Sequence, residues 1–556
     1  MVETIFLQIS FMIISFFDST ITLIIGSVPL SLTIILPLSA RDNSCSLITF
    51  FTTGSLRGFL LFIGIDIGTF ETKGVLVNLS GDIIHQAFRK HDMIVPQSGW
   101  AEHRPNEDWW GDFTYVSNKL ITESKCDPKN ISAVSASTIG PCMLPLDKEG
   151  NPLMNGVLYG VDTRAHKEID YLNKSIGEEK IMKFNGNVLT SQQVGPKILW
   201  LKNNRPEIYA KTSKIVNGTG FINYKLTGNY TIDHFSAAFV SPLYDINKQD
   251  WSDELNDGII DISKLPKLVW TNEIIGKISK SAASQTGLAE GTTVTSGTID
   301  AAAEAISVGV FSAGDMLMMY GSTMFYILVT DKILSDKRLW YSPWLFEGEH
   351  SSMGGLATSG TLTHWFKNNF AKELSGDDIF VKLAQEAEKS PPGSKGIVFL
   401  PYFSGERTPI HDTNAKGTFF GLDLTHNRAD MYRSIFEGIA YGTNHVFDVF
   451  KELEASPKNL FSVGGGTKNK VWSHTTSDII GLNQILRKKT IGASYGDAFL
   501  SACTIGELNK NDFNKWNEIE YEIQANLEHK QIYDKGYEVF RDLYENTKHL
   551  MKKLNT

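Results

Sequence analysis

A short polar segment near the start of one strand-like run combines residue types that bind nucleotide phosphates. Residues 62–67 are predicted to form an apolar strand with Asp66 at its end, and Gly68, Thr69 and Lys73 follow within seven residues. A glycine lets backbone N–H groups approach an anion, while the hydroxyl and the ammonium group add further donors. Mg²⁺ binds one or two carboxylates together with phosphate oxygens, so Asp66 suits the metal of a magnesium nucleotide. A tight hairpin with a capped turn is the structural alternative.

A second glycine turn lies in the other half of the sequence. Residues 315–320 and 324–330 are predicted to form apolar strands, and Gly321, Ser322 and Thr323 make up the turn between them. One such turn is a weak indication of function, but two turns of the same kind can face each other across a polyphosphate. The sequence therefore predicts two phosphate-binding turns, one in each half.

Three successive glycines follow another apolar segment. Within residues 462–469 the glycines at 464–466 carry no side chains above the backbone, and Asn469 ends the segment. A flat ring such as a nucleotide base can lie directly against a backbone of this kind. A triple glycine taken alone is more often an ordinary loop.

One aspartate, Asp300, stands before a run of three alanines at 301–303. An aspartate in front of an alanine-rich helix is usually an N-cap. The alternative role is a general base that accepts the proton of a hydroxyl group. The segment by itself does not decide between the two.

The segment Gly492-Ala493-Ser494-Tyr495-Gly496 matches the GxSxG pattern of hydrolases. A hydrolase also needs an aspartate and a histidine downstream, and only about sixty residues remain, which are typical of a charged surface helix and tail. Ser494 is therefore expected to cap a helix rather than to act as a nucleophile. The sequence contains no GxxxxGK(S/T), no HRD–DFG set and no HExxH, which removes the commonest alternative nucleotide and metal sites.

The elements around these motifs alternate between strands and helices. Residues 74–78 and 83–88 are predicted to form a hairpin, and 429–454 a long amphipathic helix. The strand–turn–strand pattern occurs once in each half, so two similar α/β domains are predicted, at 61–290 and 291–556. Ligands of such folds usually lie in the crevice between the halves.

The overall composition is that of an ordinary globular protein. The 556 residues include 53 Lys and Arg against 62 Asp and Glu, for a net charge of −9. No basic block indicates nucleic-acid binding. The four cysteines are scattered without metal-ligand spacing, which argues against a disulfide framework or a zinc site and fits a reducing compartment.

Residues 1–60 differ from the remainder of the chain. They carry only five charged residues, and apolar runs cover 5–17 and 21–38. The second run is just long enough to span a bilayer, although Pro29 and Pro37 interrupt it. This extension is predicted to be an artefact of gene prediction, with a membrane anchor or a targeting segment as the alternative.

Five motifs, in order between residues 62 and 508, together resemble the FGGY carbohydrate kinases. They are the phosphate motif at 62–73, the segment Ser98-Gly99-Trp100-Ala101-Glu102-His103, the segment Asp162-Thr163-Arg164, and two family signatures at 400–409 and 464–481. One departure is Gly160, where a tryptophan is common in the family. The resemblance implies an α/β fold of two actin-like (ribonuclease H-like) domains around a central cleft, in the sugar kinase/actin/heat-shock-70 superfamily.

The resemblance also implies a reaction and a role for each residue. It implies phosphoryl transfer from ATP, with Mg²⁺, to a hydroxyl of a small sugar or polyol. Asp300 is then the base and Asp66 the carboxylate on the magnesium side. The other implied contacts are Thr69, Lys73, Gly321, Ser322 and Thr323 at the phosphates, Gly360, Gly465 and Asn469 near adenosine, and Trp100, Thr138 and Ile139 at the sugar.

The specificity positions depart from the patterns common in the family. Residues 137–140 are Ser-Thr-Ile-Gly where xylulose-specific members carry Gln-Met-His-Gly, and Ala301 stands where an amide is frequent. Lost hydrogen-bond partners change which hydroxyls are recognised. D-Xylulose is the first substrate expected, and another ketose, a tetritol, glycerol or a sugar acid such as gluconate are the alternatives. A sugar or nucleotide sensor without activity is the non-enzyme alternative.

The expected partners follow from the same reasoning. They are the small sugar or polyol and, in a homodimer, a second copy of the chain, with no nucleic acid. The expected compartment is the cytoplasm, with a membrane anchor facing the cytoplasm if residues 1–60 are translated.

Overall fold

A computed structural model describes residues 12–17, 20–25, 31–35, 60–376 and 378–554. The chain divides into two compact units, Met1–Leu60 and Leu61–Thr556. Within the first unit, strands β1 (Met12–Phe17), β2 (Thr20–Ile25) and β3 (Ser31–Ile35) form an antiparallel sheet in that order. The other residues of 1–59, which include the remainder of the two apolar runs, lie outside the described residues. In the described part of the chain, no helix has the length and apolar character needed to cross a bilayer.

The second unit contains two large sheets that share a common topology at their centre. In the first sheet three antiparallel strands are followed by two parallel ones. Residues 131–138 pair in parallel with 61–67, and residues 293–295 pair in parallel with 131–138. Its strands are β4 (Leu61–Ile67), β5 (Glu71–Asn78), β6 (Ile83–Lys90), β7 (Ile131–Thr138), β8 (Ile274–Lys277), β9 (Thr293–Thr295) and β10 (Thr298–Ile299).

The second sheet repeats this arrangement. Four antiparallel strands are here extended by two parallel strands, and an antiparallel strand completes the edge. Its strands are β11 (Asp315–Tyr320), β12 (Met324–Thr330), β13 (Trp340–Pro343), β14 (His350–Leu356), β15 (Asn459–Val463), β16 (Gln484–Arg487) and β17 (Ile519–Ile523). The repeated topology confirms the predicted fold class.

Short two-stranded ribbons connect the main elements. Their pairs are Glu102–His103 with Gly156–Val157, Leu144–Leu146 with Lys214–Val216, Thr231–Asp233 with Lys267–Val269, Tyr244–Asp245 with Asp250–Trp251, and Val398–Leu400 with Thr418–Phe420. The domain boundary predicted at 290/291 remains a prediction, and β9 and β10 pair with β7 in the first sheet.

Helices surround both sheets. The α-helices of the described residues are α1 (Asp112–Ser124), α2 (His166–Leu172), α3 (Glu178–Asn185), α4 (Val194–Asn204), α5 (Pro206–Lys211), α6 (Gly218–Thr227), α7 (His234–Ala237), α8 (Lys280–Thr286), α9 (Asp300–Val308), α10 (Thr361–Phe370), α11 (Ile379–Ala387), α12 (Arg428–Glu452), α13 (Lys470–Ile480), α14 (Ala493–Thr504), α15 (Phe513–Trp516) and α16 (Lys530–Lys553). The predicted hairpin and the predicted long helix correspond to β5–β6 and to α12.

Shorter helical segments complete the chain. They are π-helical at Pro105–Gly111 and Asn173–Gly177, and 3₁₀-helical at Pro128–Asn130, Ile262–Lys264, Ser394–Gly396, Gly465–Lys468, Lys510–Asp512 and Leu527–His529.

Two glycines allow α9 and α14 to pack closely beside β4. A Cβ on Gly64 would lie 1.9 Å from the Ser494 carbonyl oxygen, and one on Gly496 would lie 2.0 Å from the Ala303 carbonyl oxygen. Real Cβ atoms are not found at such distances, so only glycine permits this contact. The N-terminal turns of α9 and α14 thereby lie next to the end of β4, where Asp66 lies.

Candidate active site

A cavity of about 350 Å³ opens between the two sheets. Cavities of this size hold small-molecule ligands. Both sheets contribute to its wall, together with the starts of α9 and α14. The lining residues are Asp66, Thr69, Ile139, Gly140, Pro141, Tyr159, Gln192, Phe235, Phe239, Ile299, Asp300, Ala301, Glu304, Met319, Thr323, Phe325, Trp340, Met353, Arg407 and Ala493.

The first phosphate motif delivers Asp66 and Thr69 to this cavity. Burial raises the pKa of the Asp66 carboxyl to about 6, while a hydrogen bond from Ser137 Oγ at 3.2 Å and the charge of Lys73 oppose the shift. The Thr69 hydroxyl lies 3.4 Å from the Tyr159 hydroxyl. The Gly68 N–H donates to the Glu71 carbonyl at 3.0 Å, so this amide closes the hairpin turn. Gly68 therefore forms the tight hairpin turn that was the structural alternative, while Asp66 lines the cavity.

Lys73 lies apart from the cavity wall. Its Nζ is 3.4 Å from a Glu71 carboxylate oxygen, and its side chain is 52% exposed. It acts on the site through its charge, which lowers the pKa of both Asp66 and Glu304.

Asp300 is the first residue of α9, and the N-cap position belongs to Ile299. Asp300 Oδ1 accepts a hydrogen bond from the Ala301 N–H at 2.7 Å. Burial raises the pKa of the Asp300 carboxyl well above its usual range, and the charge of Asp66 raises it further. Asp300 also lines the cavity, as a base for a bound hydroxyl must.

Two further carboxyl groups adjoin these, and the sequence reasoning missed both. Glu304 lines the cavity one helical turn after Asp300, and burial raises its pKa to about 7. Asp497 of α14 is buried, which raises its pKa strongly, and it accepts a 2.6 Å hydrogen bond from Ser137 Oγ. The four-residue spacing from Asp300 was a usable signal for Glu304, because such residues share a helix face. Asp497 is brought in only by the packing of α14 on β4.

The second glycine turn lies against the start of α10. The Ser359 N–H donates to the Ser322 carbonyl at 2.9 Å, and the Gly360 N–H to the Gly321 carbonyl at 3.0 Å. A Cβ on Gly360 would lie 2.5 Å from the Gly321 oxygen, so this close approach requires glycine. Thr323 lines the cavity. The structure therefore brings together Gly360 and the turn at 321–323.

The triple glycine packs beside the same turn. A Cβ on Gly464 would lie 2.4 Å from the Tyr320 carbonyl oxygen, whereas one on Gly465 would meet no atom within 4 Å. Asn469 is the N-cap of α13, and its Oδ1 accepts the Trp472 N–H at 3.1 Å. The position of Gly465 thus leaves open space above its backbone, while the Asn469 side chain has a structural hydrogen bond.

Of the three predicted sugar contacts other than Asp300, only Ile139 lines the cavity. The Thr138 hydroxyl is buried, 3.0 Å from the Thr219 hydroxyl. Trp100 lines a separate pocket, where the Arg164 guanidinium lies 3.9 Å from the ring centroid and Trp200 packs edge-on. The arginine explains this placement, because it holds the indole by a cation–π contact.

Several cavity residues were not anticipated from the sequence. They supply aromatic and polar surface around Asp300, and their positions depend on long-range packing. They are Tyr159, Gln192, Phe235, Phe239, Phe325, Trp340 and Arg407. Arg407 belongs to the segment 400–409 already singled out, so its motif was the available signal.

The expected cap at Ser494 is wrong. The N-cap of α14 is Gly492, and Ser494 lies inside the first turn. Its Oγ is buried and makes no hydrogen bond within the described residues. Its backbone oxygen contacts Gly64, so packing against β4 accounts for this segment.

Two ribonuclease H-like sheets closing on one cavity define the sugar kinase/actin/heat-shock-70 class of fold. Comparison with protein families matches residues 61–307 to the N-terminal domain, and 317–505 to the C-terminal domain, of the FGGY family of carbohydrate kinases. The chain belongs to this family and is an ATP-dependent sugar kinase.

Individual relatives agree with this assignment. The chain is 29% identical over 503 residues to a xylulose kinase of Bacillus subtilis, covering 89% of this chain and 98% of the relative. It is 26% identical over 502 residues to a gluconokinase of the same organism, covering 88% and 96%. The crystal structure of a xylulose kinase from Rhodospirillum rubrum superposes with a TM-score of 0.83 at 27% identity, covering 88% and 100%.

Proposed function

We propose that this chain transfers the γ-phosphoryl group of ATP to a hydroxyl of D-xylulose, giving D-xylulose 5-phosphate. The observation that carries the proposal is that Asp300 and Thr323 of the second glycine turn line the same cavity between the sheets. A sugar hydroxyl at Asp300 and a nucleotide at that turn would therefore share one cavity. The similarity to xylulose kinases supports D-xylulose as the first substrate.

The reaction needs one proton acceptor and positioned donors. Asp300 Oδ2 makes no hydrogen bond within the described residues, so it is free to take the proton of the substrate hydroxyl. The hydroxyl oxygen then attacks the γ-phosphorus, the bond to the bridging oxygen breaks, and ADP leaves. Phosphoryl transfer is catalysed mainly by positioning and charge stabilisation, and the hydroxyls of Thr69, Ser322 and Thr323 are proposed to serve at the phosphates.

The residues present fit a magnesium ion that is shared with the nucleotide. Asp66 offers a carboxylate at the cavity wall, and the neighbouring acidic groups of Asp300, Glu304 and Asp497 favour a bound cation. In the described part of the chain no three His, Cys, Asp or Glu side chains are grouped so that they could hold an ion alone. This suits a metal that binds one or two carboxylates and phosphate oxygens. Bound there through Asp66, Mg²⁺ would neutralise phosphate charge.

The adenosine is proposed to lie over the triple glycine. Gly465 leaves open space above its backbone, and its neighbour Gly464 packs against Tyr320, which directly precedes the turn at 321–323. A purine ring placed there would lie near the turn proposed to bind the phosphates. The supply of ATP makes the cytoplasm the proposed compartment.

Gluconate is the second candidate substrate, because the chain is also similar to a gluconokinase. Other ketoses, tetritols and glycerol are further candidates. A sensor without activity is disfavoured because a binding protein needs no proton acceptor at the hydroxyl.

The test is an ADP-release assay of the full-length chain with Mg²⁺ and ATP. The panel contains D-xylulose, L-xylulose, D-ribulose, erythritol, glycerol and D-gluconate, with ATP alone as the control. We expect ADP release above the control with D-xylulose as the strongest substrate. If ADP release is strongest with another sugar, that sugar replaces D-xylulose as the proposed substrate. If a folded chain that binds ATP releases no ADP with any compound, the alternative of a sensor without activity is supported.

A further inference from the structure

The carboxamide of Gln192, which lines the cavity, occupies the space beside Gly160. The Gly160 N–H donates to Gln192 Oε1 at 3.1 Å, and Ser191 Oγ donates to the Gly160 carbonyl at 2.8 Å. A Cβ on residue 160 would lie 2.6 Å from both Cδ and Nε2 of Gln192. A larger side chain at position 160 and this glutamine conformation therefore exclude each other.

The hydrogen bond from Gly160 fixes the orientation of the amide. A backbone N–H needs an acceptor, so the atom that receives this bond must be the carboxamide oxygen, and the bond leaves the NH₂ group unused. Nε2 makes no hydrogen bond with another described residue. The Gln192 side chain lines the same cavity as Asp300. The amide thus presents an unused N–H donor to any molecule bound there.

A second donor lies on the same cavity wall. Arg407 lines the cavity, and its Nη2 donates to the Leu356 carbonyl at 2.6 Å. Its Nη1 makes no hydrogen bond within the described residues. Arg407 and Tyr159 are close enough for the charge of one to alter the pKa of the other. The site therefore offers two kinds of N–H donor around Tyr159, and Asp300 as the acceptor.

We propose that Gln192 determines substrate choice, because its Nε2–H binds an sp² oxygen of the sugar, either a ketose carbonyl or a sugar-acid carboxylate. This inference rests on the proposed function and specifies it. A carbonyl or carboxylate oxygen only accepts hydrogen bonds, so it matches the unused donors. A fully reduced polyol offers a hydroxyl at the same place, whose proton must be directed elsewhere. The site therefore selects against polyols.

The Gln192→Glu substitution tests this with little change of shape. The carboxylate keeps an acceptor for the Gly160 N–H, but it replaces the donor that faces the substrate by a second acceptor. We expect kcat/KM for the preferred sp²-oxygen substrate to fall at least tenfold, mainly through KM, as for a lost hydrogen bond. The value for a polyol should change less than threefold. ATP affinity should stay within twofold.

The experiment compares D-xylulose, D-gluconate and xylitol with the full-length chain, Gln192→Glu and Gln192→Met. Preference for D-xylulose identifies the carbonyl as the oxygen bound, and preference for D-gluconate identifies the carboxylate. Gln86→Glu, at an exposed position of β6, is the matched control for added charge. Melting temperatures and ATP binding show whether each variant is folded.

The results separate this inference from the proposed function. An unmodified chain that phosphorylates none of the three compounds contradicts both. Two outcomes overturn the role of Gln192 alone. One is an unmodified chain that prefers xylitol. The other is a folded Gln192→Glu variant in which the ratio of kcat/KM for the preferred ketose or gluconate to kcat/KM for xylitol is unchanged. Gln192→Met must also lose the preference, because it removes the donor without adding charge.

Discussion

The Asp300→Asn substitution removes a proton acceptor while leaving the surroundings of residue 300 almost unchanged. Asp300 Oδ1 accepts the Ala301 N–H at 2.7 Å, and the oxygen of an amide can accept the same bond. The second oxygen becomes an NH₂ group, which can donate to the substrate oxygen but cannot take its proton. Substrate and nucleotide binding should therefore persist when the chemical step is lost.

The expected loss in turnover is large. General base catalysis contributes about 10²- to 10⁴-fold to a rate, which corresponds to roughly 3–5 kcal/mol of barrier height. Stability should not fall. Burial and the charge of Asp66 raise the pKa of the Asp300 carboxyl, so folding disfavours its ionised form. A neutral amide avoids that cost.

The assay measures kcat by ADP release, ATP affinity by calorimetry and the melting temperature of each variant. Glu304→Gln is the matched control, since Glu304 lines the same cavity one turn further along the helix. We expect the control to retain more than a tenth of the turnover. An Asp300→Asn variant with turnover within tenfold of the unmodified chain would refute the assignment of the base.

Three other predictions concern the pH dependence of activity, the packing at Gly64 and the aromatic side chain of Trp100. Asp300 acts as a base in its ionised form and its pKa is raised, so kcat/KM should fall on the acidic side of the pH profile at a pH well above 3.8. Glu304→Gln removes a like charge and should move this acidic limb of the profile to lower pH. A limb that does not move would contradict the electrostatic coupling between Glu304 and Asp300. Gly64→Ala places a Cβ 1.9 Å from the Ser494 oxygen, and denaturant unfolding should show a loss of about 2–3 kcal/mol; an unchanged midpoint would be inconsistent with this packing. Trp100→Ala removes a cation–π contact of 3.9 Å, so stability should fall by about 2 kcal/mol while the KM for sugar stays unchanged. A raised KM at constant stability would instead support the sequence-based prediction that Trp100 contacts the sugar.

The sequence predicted the elements whose signals are local. The hairpin at β5–β6, the strands on both sides of the turn at 321–323 and the helix α12 follow from alternation and helical periodicity. Asp66, Thr69, Ile139, Asp300 and Thr323 were predicted as site residues and line one cavity. Each of these five lies at or near the end of a strand or at the start of a helix.

Residues placed by long-range packing could not be predicted in this way. Asp497 reaches the site because α14 packs on β4 through Gly64, and no local pattern reports that contact. Trp100 was expected at the sugar, yet a guanidinium from residue 164, distant in sequence, holds its ring elsewhere. The same reason applies to Gln192, whose position depends on the absence of a side chain at residue 160.

The most direct test of the central claim follows the γ-phosphate of ATP. The full-length chain is incubated with Mg²⁺, D-xylulose and ATP labelled in the γ-phosphate, and the products are separated and identified. We expect the label to appear in a sugar phosphate, in an amount equal to the ADP formed, and Asp300→Asn to slow this transfer at least about a hundredfold. Label found only in inorganic phosphate, or a transfer rate of Asp300→Asn within tenfold of the unmodified chain, would contradict the proposed reaction.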